Sequence, residues 1–418
     1  MASFNVSILF ETPPKFQTVS GIYTFLFCGN FHPCFKNVVI SGKCIMQLTK
    51  RHSAILFSLL PITPTFAGGL DRSGQSIQSF LQPGNYAEAA ITVIDPDVKG
   101  QAINQQNVND MADDYYFPSA AIKVQATDKV SLGLIYDQPY GADATYGLEN
   151  PVFSQNGQGT QVEVKTENLT GLIGYQPTKN WNFYAGPVWQ TVEADIALRG
   201  MAYKNSGYNI EIKKEEAWGW LAGAAYQIPE IALKAAITYR SEIKHNATAH
   251  ESFGIVLLQA GSSTLQAVTP QSVNIDLQTG ITKNTLAFTN IRWVHWDQFA
   301  VTPTALKAKT GANLIDYSDD QWSANVGLGH KFTDKWSGSA LVSYDTGAGN
   351  PVTTLGPTEG YWGIGLGGQF SPTEDYFVQA GARYMWLGDA KAQTAGTVVG
   401  EFKDNTALAY TLKFGYRF

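Results

Sequence analysis

The stretch Ala407–Phe418 reads ALAYTLKFGYRF and alternates strictly between two kinds of side chain. Every second residue is apolar or aromatic: Leu408, Tyr410, Leu412, Phe414, Tyr416 and Phe418. The residues between them are small, polar or cationic: Ala407, Ala409, Thr411, Lys413, Gly415 and Arg417. Because successive side chains of a strand point to opposite faces, this stretch predicts a strand with a lipid-facing stripe and a polar lumenal face. Its length and its aromatic C-terminus are typical of transmembrane β-barrels.

The composition of the whole chain agrees with strands that are apolar on one face only. The 418 residues are 15% charged and 12% aromatic, they include 40 glycines, and their mean hydropathy is −0.13. Long apolar helices would raise the mean hydropathy well above this value. The net charge of −6 gives no basic footprint for nucleic acid. The composition therefore favours an all-β membrane protein and argues against a nucleic-acid partner.

The same alternation recurs in segments of about ten residues that are separated by clusters of turn-forming residues. With the C-terminal stretch, about fourteen segments qualify, and an even number is what a bacterial barrel requires. The predicted strands are Tyr86–Val98, Phe117–Ala126, Val130–Gln138, Gln161–Tyr175, Trp181–Ile196, Trp218–Ile228, Leu233–Ile243, Gln271–Thr279, Leu286–Trp296, Trp322–Phe332, Lys335–Tyr344, Tyr361–Phe370, Tyr376–Trp386 and Ala407–Phe418.

Short and long connections alternate between the predicted strands. Short turns such as Thr127–Lys129 and Pro177–Asn180 are followed by longer loops near residues 139–160, 198–212, 249–270, 298–319, 347–358 and 390–403. A barrel with short periplasmic turns and long external loops has this parity. The sequence therefore predicts an antiparallel transmembrane barrel in the outer membrane, with both chain ends in the periplasm.

The chain before the first strand divides into three parts. Residues 46–67, MQLTKRHSAILFSLLPITPTFA, have the basic, apolar and small-x-small regions of a signal peptide. Residues 1–45 contain all 3 cysteines and no pattern of an exported protein, so we interpret them as a non-native extension of the gene start. Residues 68–84 are polar and glycine-rich, and they form either a loose terminus or a plug in the lumen. Residues 85–418 are the predicted barrel.

Residues 68–418 resemble the FadL-type long-chain fatty-acid transporters of the outer membrane. The resemblance lies in the architecture, in a hatch-like start, and in the phrases TPQSVNIDL (Thr269–Leu277), WVHWDQF (Trp293–Phe299) and TDKW (Thr333–Trp336). It implies a barrel plugged by an N-terminal hatch, capture of a hydrophobic substrate between external loops, and sideways exit through the wall. The Asn-Pro-Ala triplet of the family hatch is replaced here by QPGNYA (Gln82–Ala87). The gating role of that triplet is therefore not transferred to this chain.

Candidate substrate contacts must include apolar walls for a hydrocarbon tail and a cation for an acidic head group. Phe253, Ile255, Val256, Leu257 and Leu258 form an apolar run in a predicted external loop. This run is a substrate groove, a small loop core or a loop tip that dips into the membrane. Strand parity places three cations, Arg240, Lys244 and Arg383, on lumenal faces, either as head-group contacts or as partners of other lumenal charges. The predicted site comprises Phe253, residues 255–258, Arg240, Lys244 and Arg383.

Catalytic and metal sites are not predicted. His295 and Asp297 share one strand face, but the sequence lacks a recognisable nucleophile elbow, so we interpret them as a hydrogen bond at the barrel rim. Gly363, Gly365 and Gly367 also share a face, and we interpret them as space for a plug rather than as a phosphate loop. The sequence therefore predicts no enzyme activity, no metal and no cofactor.

Three functions are compatible with a barrel of this kind. The first is passive uptake of long-chain fatty acids or other hydrophobic compounds through a plugged barrel, which the hatch-like start favours. The second is a general diffusion porin for small polar solutes, which the lumenal charges keep open. The third, a barrel enzyme, lacks a nucleophile. The expected partners are the hydrophobic substrate, outer-membrane lipid and lipopolysaccharide, and we expect a monomer for the transporter.

Overall fold

The computed structural model describes residues 70–254 and 261–418, and fourteen antiparallel strands in this part of the chain close into a barrel. Three of the strands are interrupted once, at residues 138–140, 241–242 and 270–271. The strands are β1 (Tyr86–Asp97), β2 (Tyr115–Gln125), β3 (Val130–Asp137 with Gly141–Thr145), β4 (Gln161–Tyr175), β5 (Trp181–Leu198), β6 (Tyr208–Ile228), β7 (Leu233–Arg240 with Ile243–Ser252), β8 (Ser262–Thr269 with Ser272–Thr282), β9 (Thr285–Val294), β10 (Gln321–Lys331), β11 (Trp336–Asp345), β12 (Tyr361–Phe370), β13 (Tyr376–Leu387) and β14 (Thr406–Arg417).

The barrel closes where the first strand meets the last. β1 pairs with β2 on one side and with β14 on the other, in a register that runs from Tyr86 opposite Arg417 to Asp97 opposite Thr406. Closure leaves no unpaired sheet edge, which a membrane requires because lipid cannot satisfy backbone hydrogen-bonding groups. The predicted fourteen-stranded barrel is confirmed.

The outward face of the barrel is apolar, as the alternation predicts. On β14, Leu408 is partly exposed and Tyr410, Leu412, Phe414 and Tyr416 are exposed, whereas the residues between them are buried or partly buried. The side chains of Trp218 and Leu366 are 67% and 70% exposed on other strands. In water such a band would be unfavourable, so these residues form the surface that contacts lipid.

Short and long connections lie at opposite ends of the barrel. The short-turn end carries the connections at residues 126–129, 176–180, 229–232, 283–284, 332–335 and 371–375, and β1 begins and β14 ends there. The long-loop end carries the other seven connections, which contain short elements of their own. These are the strands Gly100–Ala102, Asn107–Val108, Ser154–Gln155, Gln158–Gly159, Ala300–Val301, Ile315–Asp316, Val352–Thr353, Ala390–Thr394 and Thr397–Phe402, the helix α1 (Thr304–Thr310), and the 3-10 turn Met201–Tyr203. A second 3-10 turn, Pro229–Ile231, belongs to the short-turn end.

A buried carboxylate fixes the helix in the longest of these loops. Both oxygens of Glu251 accept hydrogen bonds from the first turn of α1, from Ala305 N at 3.0 Å and from Leu306 N at 2.9 Å. Tyr208 Oη donates to the same carboxylate at 2.9 Å. These contacts satisfy amide groups that a helix start leaves without intrahelical partners. No helix in the described residues is both long and apolar enough to cross a membrane.

Several strands are longer than predicted, because they include residues that were predicted to lie in loops. The region 198–212 was predicted as a loop, but β6 already begins at Tyr208. The region 249–270 was also predicted as a loop, but it contains the end of β7 and the start of β8. These extensions carry polar residues on their outward side, such as Glu211 and Lys213, because they stand beyond the lipid band. The apolar alternation that marks a membrane strand is therefore missing from them.

The interruption of β7 at residues 241–242 reverses the direction of the side chains that follow it. Arg240 is buried on the inside, Ile243 is also buried, and Lys244 is exposed on the outside. An unbroken strand would place residues an even number apart on one face. The prediction that Lys244 faces the lumen is therefore wrong, and its ammonium group pairs with Glu242 at 3.0 Å on the exterior.

Candidate functional site

Residues 70–85, the lumenal segment, lie within the barrel and contact inward-facing side chains on opposite walls. An ion pair fixes its start: Arg292 Nε of β9 donates to Asp71 Oδ2 at 2.6 Å, and the two side chains are 1% and 0% exposed. The same guanidinium donates to Asn274 Oδ1 at 2.7 Å and to Gln75 Oε1 at 3.0 Å. A buried arginine with three such partners is well satisfied. It therefore joins the segment to both β8 and β9.

Cationic side chains of the wall also satisfy backbone carbonyls of the lumenal segment. Arg240 Nη2 donates to the Gln75 carbonyl at 3.0 Å. At the other end of the segment, Lys234 Nζ donates to the Leu81 carbonyl at 3.0 Å and Lys123 Nζ donates to the Gln82 carbonyl at 2.6 Å. An irregular chain in the lumen needs such partners because buried carbonyls without hydrogen bonds are costly. β2 and β7 thus hold the segment from two sides.

An aromatic anchor completes the attachment. Phe80 is 1% exposed, and its ring lies 5.9 Å from that of Tyr184 in an edge-on arrangement. A Cβ atom at Gly133 would lie 2.4 Å from the Phe80 ring, and one at Gly174 would lie 2.9 Å from it. Only glycine lets the ring approach the wall this closely at these two positions. Phe80, with Ile77, is therefore the centre of an apolar cluster between the segment and the wall.

A cavity that we call the apolar cavity opens beside the start of the lumenal segment, towards the long-loop end. It has about 700 Å³ of space, part of it open to solvent. Its walls come from the segment, from β3, from the long-loop ends of β1 and β2, and from three long loops. Most of the side chains that line it are apolar, namely Leu70, Pro96, Val98, Met111, Ala112, Ala142, Ala144, Ile315, Leu355 and Pro357. Its mostly apolar lining suits the capture of a hydrophobic small molecule.

Arg72 brings a cation into this apolar cavity. Its guanidinium carbon lies 3.7 Å from the centre of the Tyr115 ring, and both residues line the cavity. Burial lowers the pKa of the Arg72 guanidinium, and the nearby Tyr115 and Asp143 act in the opposite direction. Arginine stays charged in any protein environment. Within residues 70–254 and 261–418, no carboxylate forms an ion pair with Arg72. The guanidinium shares the cavity with the Asp143 carboxylate, which lies beyond ion-pair distance, so it can still approach an anionic group there.

A second cavity, the polar cavity, lies on the other side of the segment. It is lined by serines of the segment and by inward-facing residues of β1, β2, β3 and β14. Among these, Ser73 Oγ donates to Asp137 Oδ2 at 2.6 Å, and Lys413 pairs with Glu88 at 3.4 Å. The two cavities therefore differ in chemistry, and the residues from Asp71 to Ser73 stand between them.

The wall beside the segment is incomplete. β2 pairs with β3 only from Ala120 to Gln125, and the second part of β3, Gly141–Thr145, pairs with β4. On its other side, this second part bonds to the residues just before β2, through a bridge between Ala112 and Ala144. At the interruption, the Pro139 carbonyl turns inward and accepts a hydrogen bond from Arg72 N at 2.7 Å. The ladder between β2 and β3 is thus open near the level at which the lumenal segment begins.

The structure places the residues of the predicted site in different surroundings. Arg240 faces the lumen as predicted, but its contact is the Gln75 carbonyl. Arg383 is also buried and contacts Tyr361 Oη at 3.5 Å, and neither of the two cavities described here includes it. Phe253 packs on Tyr208, with ring centres 5.1 Å apart, and Lys309 Nζ lies 4.2 Å from its ring centre. This is the packing of a loop core.

The remainder of the predicted apolar run, Ile255, Val256, Leu257 and Leu258, lies outside the described residues. Sequence reasoning missed Asp71, Arg72 and Arg292, which the structure brings to the centre of the site. The signal for Arg292 was present, since parity on β9 places it inside. For Asp71 and Arg72, which precede the first strand, no periodicity exists to indicate a direction.

Known proteins that match this chain share its barrel fold. The family model described as outer membrane protein transport protein (OMPP1/FadL/TodX) matches residues 75–418. Two solved structures share the fold. A FadL homologue of Pseudomonas aeruginosa is 15% identical, with a TM-score of 0.67, and covers 84% of this chain and 96% of its own. The toluene transporter TodX of Pseudomonas putida is 13% identical, with a TM-score of 0.59, over 81% and 91%. No curated protein matches the sequence.

Proposed function

The chain belongs to the OMPP1/FadL/TodX family of outer-membrane transport proteins, and we propose that it takes up long-chain fatty acids or similar amphipathic acids by passive diffusion. The observation that carries this proposal is the Arg72 guanidinium in a cavity whose lining is mostly apolar. Burial of a hydrocarbon tail contributes about 0.8 kcal/mol per methylene, and a carboxylate head group would accept a charge-assisted hydrogen bond from Arg72. The apolar cavity is the binding site in this proposal.

The lumenal segment acts as a hatch in this proposal. Its cationic and aromatic contacts hold it across the barrel, so that substrate in the apolar cavity meets a closed lumen. The short-turn end, where β1 begins and β14 ends, faces the periplasm in this proposal, and the long loops face outside. We assign the sideways exit to the gap between β2 and β3, because no backbone hydrogen bonds between these two strands need to break there for the wall to open. Flow is downhill and requires no cofactor.

A second candidate substrate class is the neutral aromatic hydrocarbons. TodX is described as a toluene transporter, and the apolar cavity of this chain contains the aromatic rings of Tyr115 and Tyr317. A neutral ring would use those contacts and gain nothing from the charge of Arg72. The two classes thus differ in their dependence on one guanidinium.

Binding of oleate and of oleyl alcohol, which share a hydrocarbon chain, distinguishes these possibilities. We expect the purified protein in detergent to bind oleate at least about tenfold more tightly, since hydrogen bonds to charged groups contribute about 1.5–3 kcal/mol. Arg72→Met keeps the aliphatic stem and removes the cation, so it should abolish the preference and leave oleyl alcohol unaffected.

The matched control is Lys244→Met, which removes an exterior cation and should preserve the preference for oleate. Equal binding of the acid and the alcohol by the wild type, or an unchanged preference in Arg72→Met, would contradict the proposal. Tighter binding of toluene than of oleate would favour the aromatic class.

A further inference from the structure

Three side chains that the transport proposal does not use meet at the long-loop end. His295 directly follows β9, Asp297 comes two residues later, and Asp320 directly precedes β10. The segment between them, residues 295–320, is the longest connection of the barrel and contains α1. The cluster therefore lies where the two ends of this loop leave the wall.

The distances within the cluster are those expected around a single metal ion. His295 Nδ1 lies 2.9 Å from Asp320 Oδ1 and 3.2 Å from Asp297 Oδ1, and one donor atom from each residue lies within 4.8 Å of the others. Two donors that are each about 2.0–2.1 Å from one Zn²⁺ ion stand about 3.3 Å apart at the tetrahedral angle. One cation can thus contact all three residues with small side-chain adjustments.

Neighbouring groups hold the donors in this arrangement. Trp293 Nε1 donates to Asp320 Oδ2 at 2.9 Å, which leaves Oδ1 directed at the imidazole. The Trp293 and His295 rings lie 5.4 Å apart. Such contacts outside the ligand set orient metal ligands and raise affinity. The three side chains are 19%, 44% and 27% exposed for His295, Asp297 and Asp320, so water can complete the coordination.

An ion pair between an imidazolium and two carboxylates explains the cluster less completely. His295 Nδ1 carries a single proton, yet two carboxylate oxygens approach it. One N–H group would have to be shared between them. A divalent cation instead satisfies the nitrogen lone pair and both oxygens at once and balances the two negative charges.

We propose that His295, Asp297 and Asp320 bind one divalent transition-metal cation of the Zn²⁺ class, with water in the remaining positions. Imidazole and carboxylate donors suit such a cation. The bound ion would fasten both ends of the 295–320 loop to the barrel. Ile315 and Tyr317 of this loop line the apolar cavity, so the ion would also steady one wall of that cavity.

Isothermal titration of untagged protein with zinc chloride, after chelator treatment and dialysis in detergent, tests the site. We expect one equivalent to bind. His295→Gln and Asp320→Asn should each weaken binding by more than tenfold, and Trp293→Phe, which removes only the supporting N–H, should weaken it by about tenfold. Zn²⁺ should also slow hydrogen exchange in residues 295–320 of the wild type.

The control is His330→Gln, which alters a histidine bonded to Thr285 at the short-turn end and should bind zinc like the wild type. Heat-dependent gel mobility establishes that each variant has a folded barrel. The proposal is overturned if the folded wild type binds no zinc, or if His295→Gln and Asp320→Asn bind it as the wild type does. Equal loss in the His330→Gln control would also overturn it.

Discussion

Arg292→Met is expected to turn a nearly silent barrel into a conducting one. The substitution leaves Asp71 as a buried carboxylate without its partner, and breaking a buried ion pair in this way costs about 3–5 kcal/mol. Gln75 loses its hydrogen bond to the same guanidinium. Since these contacts fix the start of the lumenal segment, its release should open a path for ions. Single-channel recording in planar bilayers measures the change.

Two further variants separate this effect from general damage. Asp71→Leu combined with Arg292→Met removes both charges, so it should conduct less than Arg292→Met alone. Lys244→Met removes an exterior cation and should remain as silent as the wild type. If Arg292→Met conducts no more than the wild type, the ion pair does not hold the segment in place.

Phe80→Ala should release the same segment from its apolar side. Loss of a buried phenylalanine side chain costs about 3–5 kcal/mol, and Phe80 is 1% exposed between Gly133, Gly174 and Tyr184. Hydrogen exchange of residues 70–85 should accelerate strongly, while exchange in the barrel strands stays slow. Mass spectrometry of peptides from this segment gives the comparison directly.

Gly133→Val provides an independent test of the same contact, because its Cβ would lie 2.4 Å from the Phe80 ring and displace it. We expect the same acceleration of exchange. Phe332→Ala removes an aromatic ring that is 67% exposed on the outside and should leave the segment protected. Unchanged exchange in both Phe80→Ala and Gly133→Val would show that the aromatic anchor contributes little.

The barrel could be predicted because membrane strands obey one rule over their whole length. Lipid on one face and lumen on the other force an alternation that survives in single strands such as β14. The alternation does not extend to the parts of a strand that project beyond the lipid. The extensions of β6, β7 and β8 have polar residues outside, and they were therefore predicted as loops.

Breaks in the strands limited the prediction of the site. The parity argument succeeded for Arg240 and Arg383 because it was applied within one unbroken segment. It failed for Lys244 because residues 241–242 interrupt β7, and neither residue is a glycine or proline that would mark a break. A single interruption is enough to exchange the lumenal and lipid faces.

Glycines in the sequence did not reveal where the lumenal segment packs. Gly363 and Gly365 were interpreted as space for a plug, but Cβ atoms there would meet side chains of Ser343 and Leu341 on the neighbouring strand. The glycines that admit Phe80 are Gly133 and Gly174. Nothing in the local sequence distinguishes the two pairs, because the difference depends on where a distant segment folds.

We propose that the lumenal segment, residues 70–85, closes the lumen of an otherwise open barrel. Single-channel conductance of the intact protein, compared with a variant that lacks these residues and still shows heat-dependent gel mobility, tests it most directly. We predict that the intact protein is nearly silent and that the deletion produces a large, stable channel. Equal conductance of the two proteins would contradict the claim and would favour a general diffusion porin.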